Sequence, residues 1–441
     1  MKKITTIGGG LAGCEAAYQA ANRGCQVELF DMKPEKYSPA HSSANLGELV
    51  CSNSLRSNDP TSAVGLMKEE MRFFNSLIMK TADATAVPAG KALAVDRDKF
   101  AEQLTKTVEE HPNITVIRKE ITEVPAASEN PTIIATGPLT SEALAGEIAK
   151  LTGKDRLFFY DAIAPIVDAE SLNMDIVYRK SRYDDGPGDY LNCPMNKEEY
   201  LNFITELANA HYVPLKDFED VKYFEGCLPI EVILSRGDDA LRFGPMKPVG
   251  LPDPRTAKDP YAVVQLRMED KAGNSYNMVG FQTKLTYPEQ KRIFRMIPGM
   301  ENAEFVRYGS IHRNTFICAP DLLLPTLQIQ DRADLFLAGQ LSGVEGYIES
   351  AAIGMLAGIN AARQLLGEVL IVPPDETALG SMINHLTKSE AKNFQPSNIN
   401  FGLFPSWKQK VPKKFRGKRR AEMSRAALPE WNKKYSIHTA V

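Results

Sequence analysis

Three glycines near the amino terminus have the spacing of a phosphate-binding turn: Gly8, Gly10 and Gly13, in the run KKITTIGGGLAGCEAAYQAANRG. The first allows a tight turn after a strand, the second lets the backbone approach a pyrophosphate, and the third lets a helix pack closely on the sheet. The free N–H groups of that helix would hold the negative charges. Asp31 ends the next predicted strand, where a carboxylate can accept hydrogen bonds from a ribose 2′-hydroxyl. The sequence therefore predicts a dinucleotide site formed by Gly8, Gly9, Gly10, Leu11, Ala12, Gly13 and Asp31.

A second glycine-rich turn lies late in the chain, in ADLFLAGQLSGVEGYIESAAIGMLAGINAARQLL. A buried strand reaches Gly339, and a helix of small residues begins near Tyr347, which directs a second helix N-terminus at the cofactor. A late segment that completes the site is typical of FAD enzymes of the glutathione-reductase type, although a packed Gly/Ala helix is the plainer alternative. We therefore predict FAD, with further contacts from Thr136, Gly137, Gly339, Gly346 and Tyr347.

The elements that must position these residues indicate an α/β fold. We predict a Rossmann-like FAD-binding domain of glutathione-reductase type, discontinuous over residues 1–160 and 300–400. An inserted α+β domain at 161–299 is predicted from alternating strands such as YAVVQLRMED and YNMVGFQTKL, and a basic tail spans 401–441. The stretch SPAHSSANLGELVCSNSLRSNDPTSAVG is too long for an ordinary connection and is therefore a candidate functional loop.

Composition favours a globular protein of two or three domains: the 441 residues are 43% hydrophobic and 24% charged. The six cysteines form no CxxC pair and the six histidines do not cluster, so we expect neither a metal site nor a disulfide framework. This pattern fits a reducing cytoplasm. The glycine triplet and Glu15 interrupt any signal-like apolar run, and no window of about twenty residues lacks charge, so no membrane association is expected.

The net charge of −3 hides a basic segment. Residues 408–425 carry nine Lys or Arg and one acid, Glu422. Such a segment is more often a solvated surface than a nucleic-acid contact. Its interspersed Trp407 and Phe415 could stack on bases or pack on the protein.

Six strings together resemble the bacterial folate- and FAD-dependent tRNA (uracil-5-)-methyltransferases over nearly the whole chain. The glycine fingerprint GGGLAGCEAA is shared with many flavoproteins, whereas ELVCSNSLRS, YFEGCLPIE, RYGSIHRNTFI and AGQLSGVEGYIESAA are more specific, and FYDAIAPIV completes the set. A related family that modifies wobble uridines shares the glycine fingerprint but is considerably longer.

The resemblance implies formation of 5-methyluridine at T-loop position 54 of tRNA. The one-carbon donor would be 5,10-methylenetetrahydrofolate, and FAD reduced by NAD(P)H would supply electrons. Because uracil carbon 5 is a poor nucleophile, a thiolate must first add to carbon 6. Cys227 is implied as this nucleophile and Cys51 as a second catalytic thiol near the flavin, although the opposite assignment stays open. Glu345 is a reserve candidate for the base, and His312 is implied to stack on the pterin of folate.

A tRNA substrate gives the basic segment a role in phosphate contact. The residues implied are Lys413, Lys414, Arg416, Lys418, Arg419 and Arg420. No protein partner is inferred. Two alternatives remain: the same chemistry on ribosomal RNA, and a small-molecule FAD-dependent oxidoreductase, which would leave the Cys227 motif and the basic segment unexplained.

Overall fold

The computed structural model describes residues 2–152, 157–183, 186, 188–214, 228–407 and 409–437, with only the backbone described for 157–161, 312 and 313. Its strands are β1 (Ile4–Ile7), β2 (Val27–Asp31), β3 (Ser54–Ser57), β4 (Ala86–Val87), β5 (Ala92–Val95), β6 (Ile114–Arg118), β7 (Thr132–Ile134), β8 (Leu157–Ile163), β9 (Ile166–Asp168), β10 (Tyr178–Arg179), β11 (Tyr190–Met195), β12 (Ala262–Met268), β13 (Ser275–Met278), β14 (Phe305–Arg307), β15 (Ser310–Phe316), β16 (Gln328–Ile329) and β17 (Arg332–Leu337). Its helices are α1 (Leu11–Ala21), α2 (Ala63–Phe73), α3 (Leu77–Ala84), α4 (Arg97–Glu109), α5 (Glu142–Thr152), α6 (Lys197–Ala208), α7 (Ile230–Leu234), α8 (Ala240–Phe243), α9 (Tyr287–Phe294), α10 (Tyr347–Leu366), α11 (Ala378–Lys388) and α12 (Arg416–Tyr435).

The first sheet has the strand order β16-β17-β7-β1-β2-β6. All neighbours are parallel except β16 and β17. Ile7 at the end of β1 is in register with Phe30 of β2 and Ile134 of β7, so these three strands end at one edge. Ligands of open parallel sheets bind outside the carboxyl ends of the strands. The α/β fold class predicted from the sequence is confirmed.

Helices α1 and α10 cover this sheet side by side because small residues line their contact. A Cβ on Gly354 would lie 2.2 Å from the Ala12 carbonyl oxygen, and one on Gly358 would lie 2.3 Å from that of Ala16. Real Cβ atoms do not approach so closely, so only glycine permits this separation. The packing places the N-termini of both helices at the carboxyl edge of the sheet.

The second sheet is antiparallel, with the strand order β10-β11-β12-β13-β9-β14. It spans residues 166–307 and has its own hydrophobic core, which includes Phe203, Phe281 and Phe294. The antiparallel pair β8 and β15 joins it to the first sheet. The strands of this sheet continue to Arg307, past the predicted limit of 299, and the division into domains stays a prediction.

The basic segment expected as a tail forms helix α12, which packs on the main core. Leu428 and Trp431 are buried, and the Trp431 ring meets Phe74 edge-on at a centroid distance of 5.5 Å. Ser424 Oγ donates to Glu70 at 2.7 Å, and Glu70 also accepts from two backbone N–H groups at the start of α11. The apolar positions of α12 recur at helical spacing, which explains why the segment is ordered despite its charge. Among the described helices, none is both long and apolar enough to cross a bilayer.

Candidate active site

A cleft with about 1110 Å³ of empty space lies at the carboxyl edge of the first sheet. The predicted residues that line it are Gly8, Gly9, Gly10, Leu11, Ala12, Asp31, Thr136, Gly137, Gly339 and Tyr347. Asp31 Oδ2 accepts the Gly9 N–H at 2.8 Å, and Asp31 Oδ1 accepts the Lys33 N–H at 2.9 Å. The Asp31 carboxylate therefore lines the cleft and also fixes the backbone of the glycine turn. Spacing in the sequence did not indicate this second role.

The glycines divide into two groups by what a side chain would meet. A Cβ on Gly13 would lie 1.8 Å from the Gly8 carbonyl oxygen, and a Cβ on Gly8 would lie 2.5 Å from that of Ala135. These two positions serve packing, and Gly13 itself does not line the cleft. A Cβ on Gly10 would meet nothing within 4 Å, since it would project into the cleft.

The cleft fits the pyrophosphate of a dinucleotide such as FAD. No side chain caps the N-terminus of α1 or of α10, whose N-cap residues are Gly10 and Gly346. The first backbone N–H groups of a helix need acceptors, and an anion supplies them. Gly10 would hold this anion through its backbone, because its open side allows close approach.

A second cavity of about 1300 Å³, here called the chamber, adjoins the cleft. The two share the lining residues Val50, Pro138, Leu139, Gln340 and Tyr347. Besides Tyr347, three predicted site residues line the chamber: Cys51, Glu345 and Gly346. The structure thus brings one of the two predicted catalytic thiols next to the predicted cofactor cleft.

Tyr347 connects the Cys51 loop to helix α10. Its hydroxyl oxygen accepts the N–H of Cys51 at 2.8 Å and that of Ser52 at 3.3 Å. Burial raises the pKa of Tyr347, and the neighbouring Cys51 adds to this. The Cys51 sulfur itself lies 4.0 Å from the carbonyl oxygen of Ala162. The tyrosine therefore remains a neutral phenol that fixes the backbone beside the thiol.

Three arginines hold the same loop from different parts of the chain. Arg97 donates to the Leu49 carbonyl and Arg307 to that of Val50. Arg267 donates to Ser52 Oγ at 2.7 Å and to Asn53 Oδ1 at 2.9 Å. Burial lowers the pKa of Arg267 and of Arg307 from the usual value. The loop is therefore clamped between the first sheet domain and the insertion.

Glu345 has a fixed position in the chamber wall and is almost fully buried. Its carboxylate accepts from Gln340 Nε2 at 2.6 Å, and its backbone carbonyl accepts from Asn398 Nδ2 at 2.7 Å. Gln340 also lines the cleft, so this hydrogen bond spans the boundary between the two cavities.

A fully buried lysine lies behind the chamber. Lys68 Nζ donates to the carbonyls of Arg56 at 3.0 Å and Ser57 at 2.5 Å, and its side chain is fully buried. Burial lowers the pKa of Lys68 to about 7. Arg56 lines the chamber and is paired with the buried Glu349 at the start of α10.

The structure describes no side chain for two of the predicted site residues. Cys227 lies outside the described residues. His312 is described by its backbone only, on β15 opposite Asp161 of β8 and two residues before Asn314, which lines the chamber. Their assigned roles stay predictions.

The basic residues of the C-terminal segment divide into exposed and buried. Arg420 is only 3% exposed, donates to the Pro405 carbonyl, and stacks on Trp407 at 3.8 Å. We therefore leave Arg420 out of any RNA-binding surface, and Trp407 packs on the protein. The remaining predicted residues are all exposed: Lys413, Lys414, Arg416, Lys418 and Arg419.

Sequence reasoning missed the three arginines and Asn277, another residue of the chamber wall. One signal was available in YAVVQLRMED, where Arg267 is the one charged residue of a mainly apolar strand. A charged residue at such a position is almost always paired or functional. Arg97 and Arg307 gave no comparable signal, because both stand in ordinary polar contexts.

Comparison with known proteins agrees with this geometry. The family model described as glucose inhibited division protein A matches residues 3–369. A solved structure of Aquifex aeolicus GidA superimposes with a TM-score of 0.72 at 18% identity, covering 99% of this chain and 74% of that one. A relative from Desulfotalea psychrophila is 76% identical over 441 residues, which is 100% of this chain and 99% of that protein. Another from Geobacter sulfurreducens is 58% identical over 429 residues, or 97% and 98% of the two chains.

The chain belongs to the glucose inhibited division protein A family, and its Rossmann-like fold is of the FAD-binding type. Within that family it is a member of the TrmFO group. Both relatives carry the name methylenetetrahydrofolate--tRNA-(uracil-5-)-methyltransferase TrmFO. The resemblance found in the sequence is confirmed.

Proposed function

We propose that this protein methylates carbon 5 of a tRNA uridine, at T-loop position 54, with 5,10-methylenetetrahydrofolate as donor. The observation that carries the proposal is the junction of cleft and chamber, which sets Cys51 beside a site built for a dinucleotide. The names of relatives that match along the whole chain support the substrate and donor.

The chemistry requires one reductant and one nucleophile. A methylene group is more oxidised than a methyl group by one hydride, so bound FAD, reduced by NAD(P)H, would supply that hydride. The thiolate of Cys227 would form a bond to uracil carbon 6 and push an electron pair toward carbon 5 and the carbon 4 oxygen. Carbon 5 would then attack the methylene carbon as one methylene–nitrogen bond of the folate opens, and a base would remove the carbon 5 proton. The second methylene–nitrogen bond would break to release tetrahydrofolate, and the hydride that reduced FAD supplies would add to the methylene as the thiolate leaves carbon 6.

We assign the other roles by position. Cys51 serves as the second thiol beside the cofactor, where Tyr347 and the arginines fix its backbone. Glu345 is the reserve base in the same chamber. His312 is assigned to the pterin, in line with the place of its strand beside the chamber.

The exposed cations at the start of α12 are proposed to contact tRNA phosphates. The target base is stacked inside the folded tRNA elbow, so it must be flipped out to reach the chamber. A chamber that adjoins the cleft but has its own polar lining gives such a base a place to bind.

The test is transfer of label from methylenetetrahydrofolate to an unmodified tRNA transcript in the presence of NAD(P)H. Label should appear as 5-methyluridine at position 54, and S-adenosylmethionine should not replace the folate. Label in ribosomal RNA alone would move the activity to that substrate. Flavin turnover without folate or RNA would indicate a small-molecule oxidoreductase instead.

A further inference from the structure

One side-chain amide in the chamber has a donor with no acceptor. Asn277, on β13, is 3% exposed, and its Nδ2 has no hydrogen-bond partner within the described part of the chain. Its Oδ1 accepts from Arg267 Nη2 at 3.3 Å, which fixes the orientation of the amide. Asn277 lines the chamber. An unpaired buried donor is destabilising. The unpaired Nδ2 at this position therefore indicates that a bound molecule accepts its hydrogen bond.

Arg267 lies directly opposite Asn277 in the β12–β13 pairing and lines the same chamber. Its Nε and Nη2 donate to Asn53, Ser52 and Asn277. Its Nη1 makes no hydrogen bond to any described residue. Asn277 Nδ2 and Arg267 Nη1 are therefore unused donors on two paired residues that both line the chamber.

The charge around this pair favours an oxygen acceptor. Glu345 is the one carboxylate among the described residues that line the chamber, and it is bonded to Gln340. The amides of Asn314 and Gln282 also line the chamber. Two guanidiniums line the chamber, and that of Arg56 is paired with Glu349, which leaves Arg267. An unused N–H of this guanidinium suits a carbonyl oxygen that gains negative charge during reaction.

We propose that Arg267 and Asn277 donate hydrogen bonds to the carbonyl oxygen at carbon 4 of a pyrimidinone ring bound in the chamber. The proposal rests on the proposed function, in which both uracil and the pterin of folate carry such a carbonyl. Uracil is the expected occupant. When the thiolate adds to carbon 6, the electron pair of the carbon 5–carbon 6 double bond moves toward this oxygen, so the donors bind the adduct more strongly than the free base.

The same guanidinium links recognition of the ring to the thiol loop. Arg267 holds Ser52 and Asn53, the two residues after Cys51. A ring oxygen on Nη1 would therefore be set at a fixed position relative to that loop. Arg267 is both a binding residue and a positioning residue, whereas Asn277 makes no contact with the loop and tests binding alone.

The experiment compares holoenzymes with Asn277→Asp and Asn277→Ala. Aspartate keeps the shape of asparagine and can pair with Arg267, so this variant keeps the fold while it removes the donor. Asn58→Asp is the matched control. Asn58 Oδ1 also accepts from an arginine, Arg72 Nη2 at 3.1 Å, and Asn58 does not line the chamber.

Each protein is assayed for binding and label transfer with two pairs of ligands that differ in the oxygen at carbon 4. The first pair is a tRNA transcript with uridine or 4-thiouridine at the target position, and the second is folate or its 4-amino analogue. The wild type should prefer the oxygen-bearing ligand, and both Asn277 variants should lose about tenfold of the uridine preference, as expected for one buried hydrogen bond. Asn58→Asp should keep it.

Loss of preference in the folate arm alone would support the donor pair and assign it to the pterin. Unchanged preferences in both arms, or a change limited to the flavin spectrum, would overturn the proposal. If the wild type transfers no label to tRNA, the proposed function fails. The binding assays would still show whether Arg267 and Asn277 recognise a carbonyl oxygen.

Discussion

Gly10→Val should abolish FAD binding without unfolding the protein. The Gly10 backbone is extended, with φ −78° and ψ −173°, a conformation that valine adopts readily. A Cβ there meets nothing within 4 Å. Gly10 is also the N-cap of α1, so valine costs up to about 1 kcal/mol of helix stability, offset by about 0.4–1 kcal/mol from a less flexible unfolded chain.

The loss of ligand affinity should be much larger than this change in stability. The valine side chain would occupy the space from which a phosphate reaches the N–H groups of α1. Two charge-assisted hydrogen bonds, at about 1.5–3 kcal/mol each, would be weakened or lost. The dissociation constant for FAD should therefore rise by roughly 100-fold to 10,000-fold, since each 1.4 kcal/mol is a factor of ten.

The assay is FAD titration of the deflavinated protein by fluorescence, with a thermal melt of the same samples. Gly13→Ala is the matched control, because its Cβ would lie 1.8 Å from the Gly8 carbonyl oxygen. That variant should lose stability before any ligand is added. Retention of stoichiometric FAD by Gly10→Val, or a melt as depressed as that of Gly13→Ala, would refute the distinction between the two glycines.

Three further predictions concern the thiols, the basic helix and the buried lysine. A tRNA with 5-fluorouridine at the target position should trap a covalent adduct that peptide mapping places on Cys227. Cys51→Ala and Cys227→Ala should both keep FAD and lose turnover, and an adduct on Cys51 would reverse the two roles. Neutralising five exposed cations of the basic segment should flatten the salt dependence of tRNA affinity; these are Lys413, Lys414, Arg416, Lys418 and Arg419. Arg420 is buried, so Arg420→Gln should instead lower the melting temperature. Finally, burial lowers the pKa of Lys68 from its ordinary value of 10.5 to about 7 in the folded protein. Between pH 7 and pH 10.5 the Lys68 side chain is therefore protonated in the unfolded chain and neutral in the folded protein. The contribution of Lys68 to unfolding free energy should therefore rise by a few kcal/mol from pH 7 to 10, measured as the difference between wild type and Lys68→Met in urea titrations; a difference independent of pH would contradict the lowered pKa.

The sequence predicted the parts of the site that depend on local order. The glycine turn directly follows β1, Asp31 ends β2, and helix α10 begins at Tyr347 after the glycine-rich turn that follows β17, so order along the chain was sufficient. The clamp on the Cys51 loop was not predictable, because Arg97, Arg267 and Arg307 reach it from three distant segments. The basic segment was expected as a tail because its charge hid the helical spacing of Leu428 and Trp431.

The contact of Gly354 and Gly358 with α1 also constrains how the protein is made. Strand β1 and helix α1 leave the ribosome long before helix α10, which completes their cofactor edge and begins only at Tyr347. Until then, the small residues of α1 have no partner to cover them, and β7 lacks its neighbour β17. Such long-range pairing is slow, and uncovered apolar surface favours association with other chains. The nascent amino-terminal third should therefore depend on chaperones until most of the chain has been synthesised.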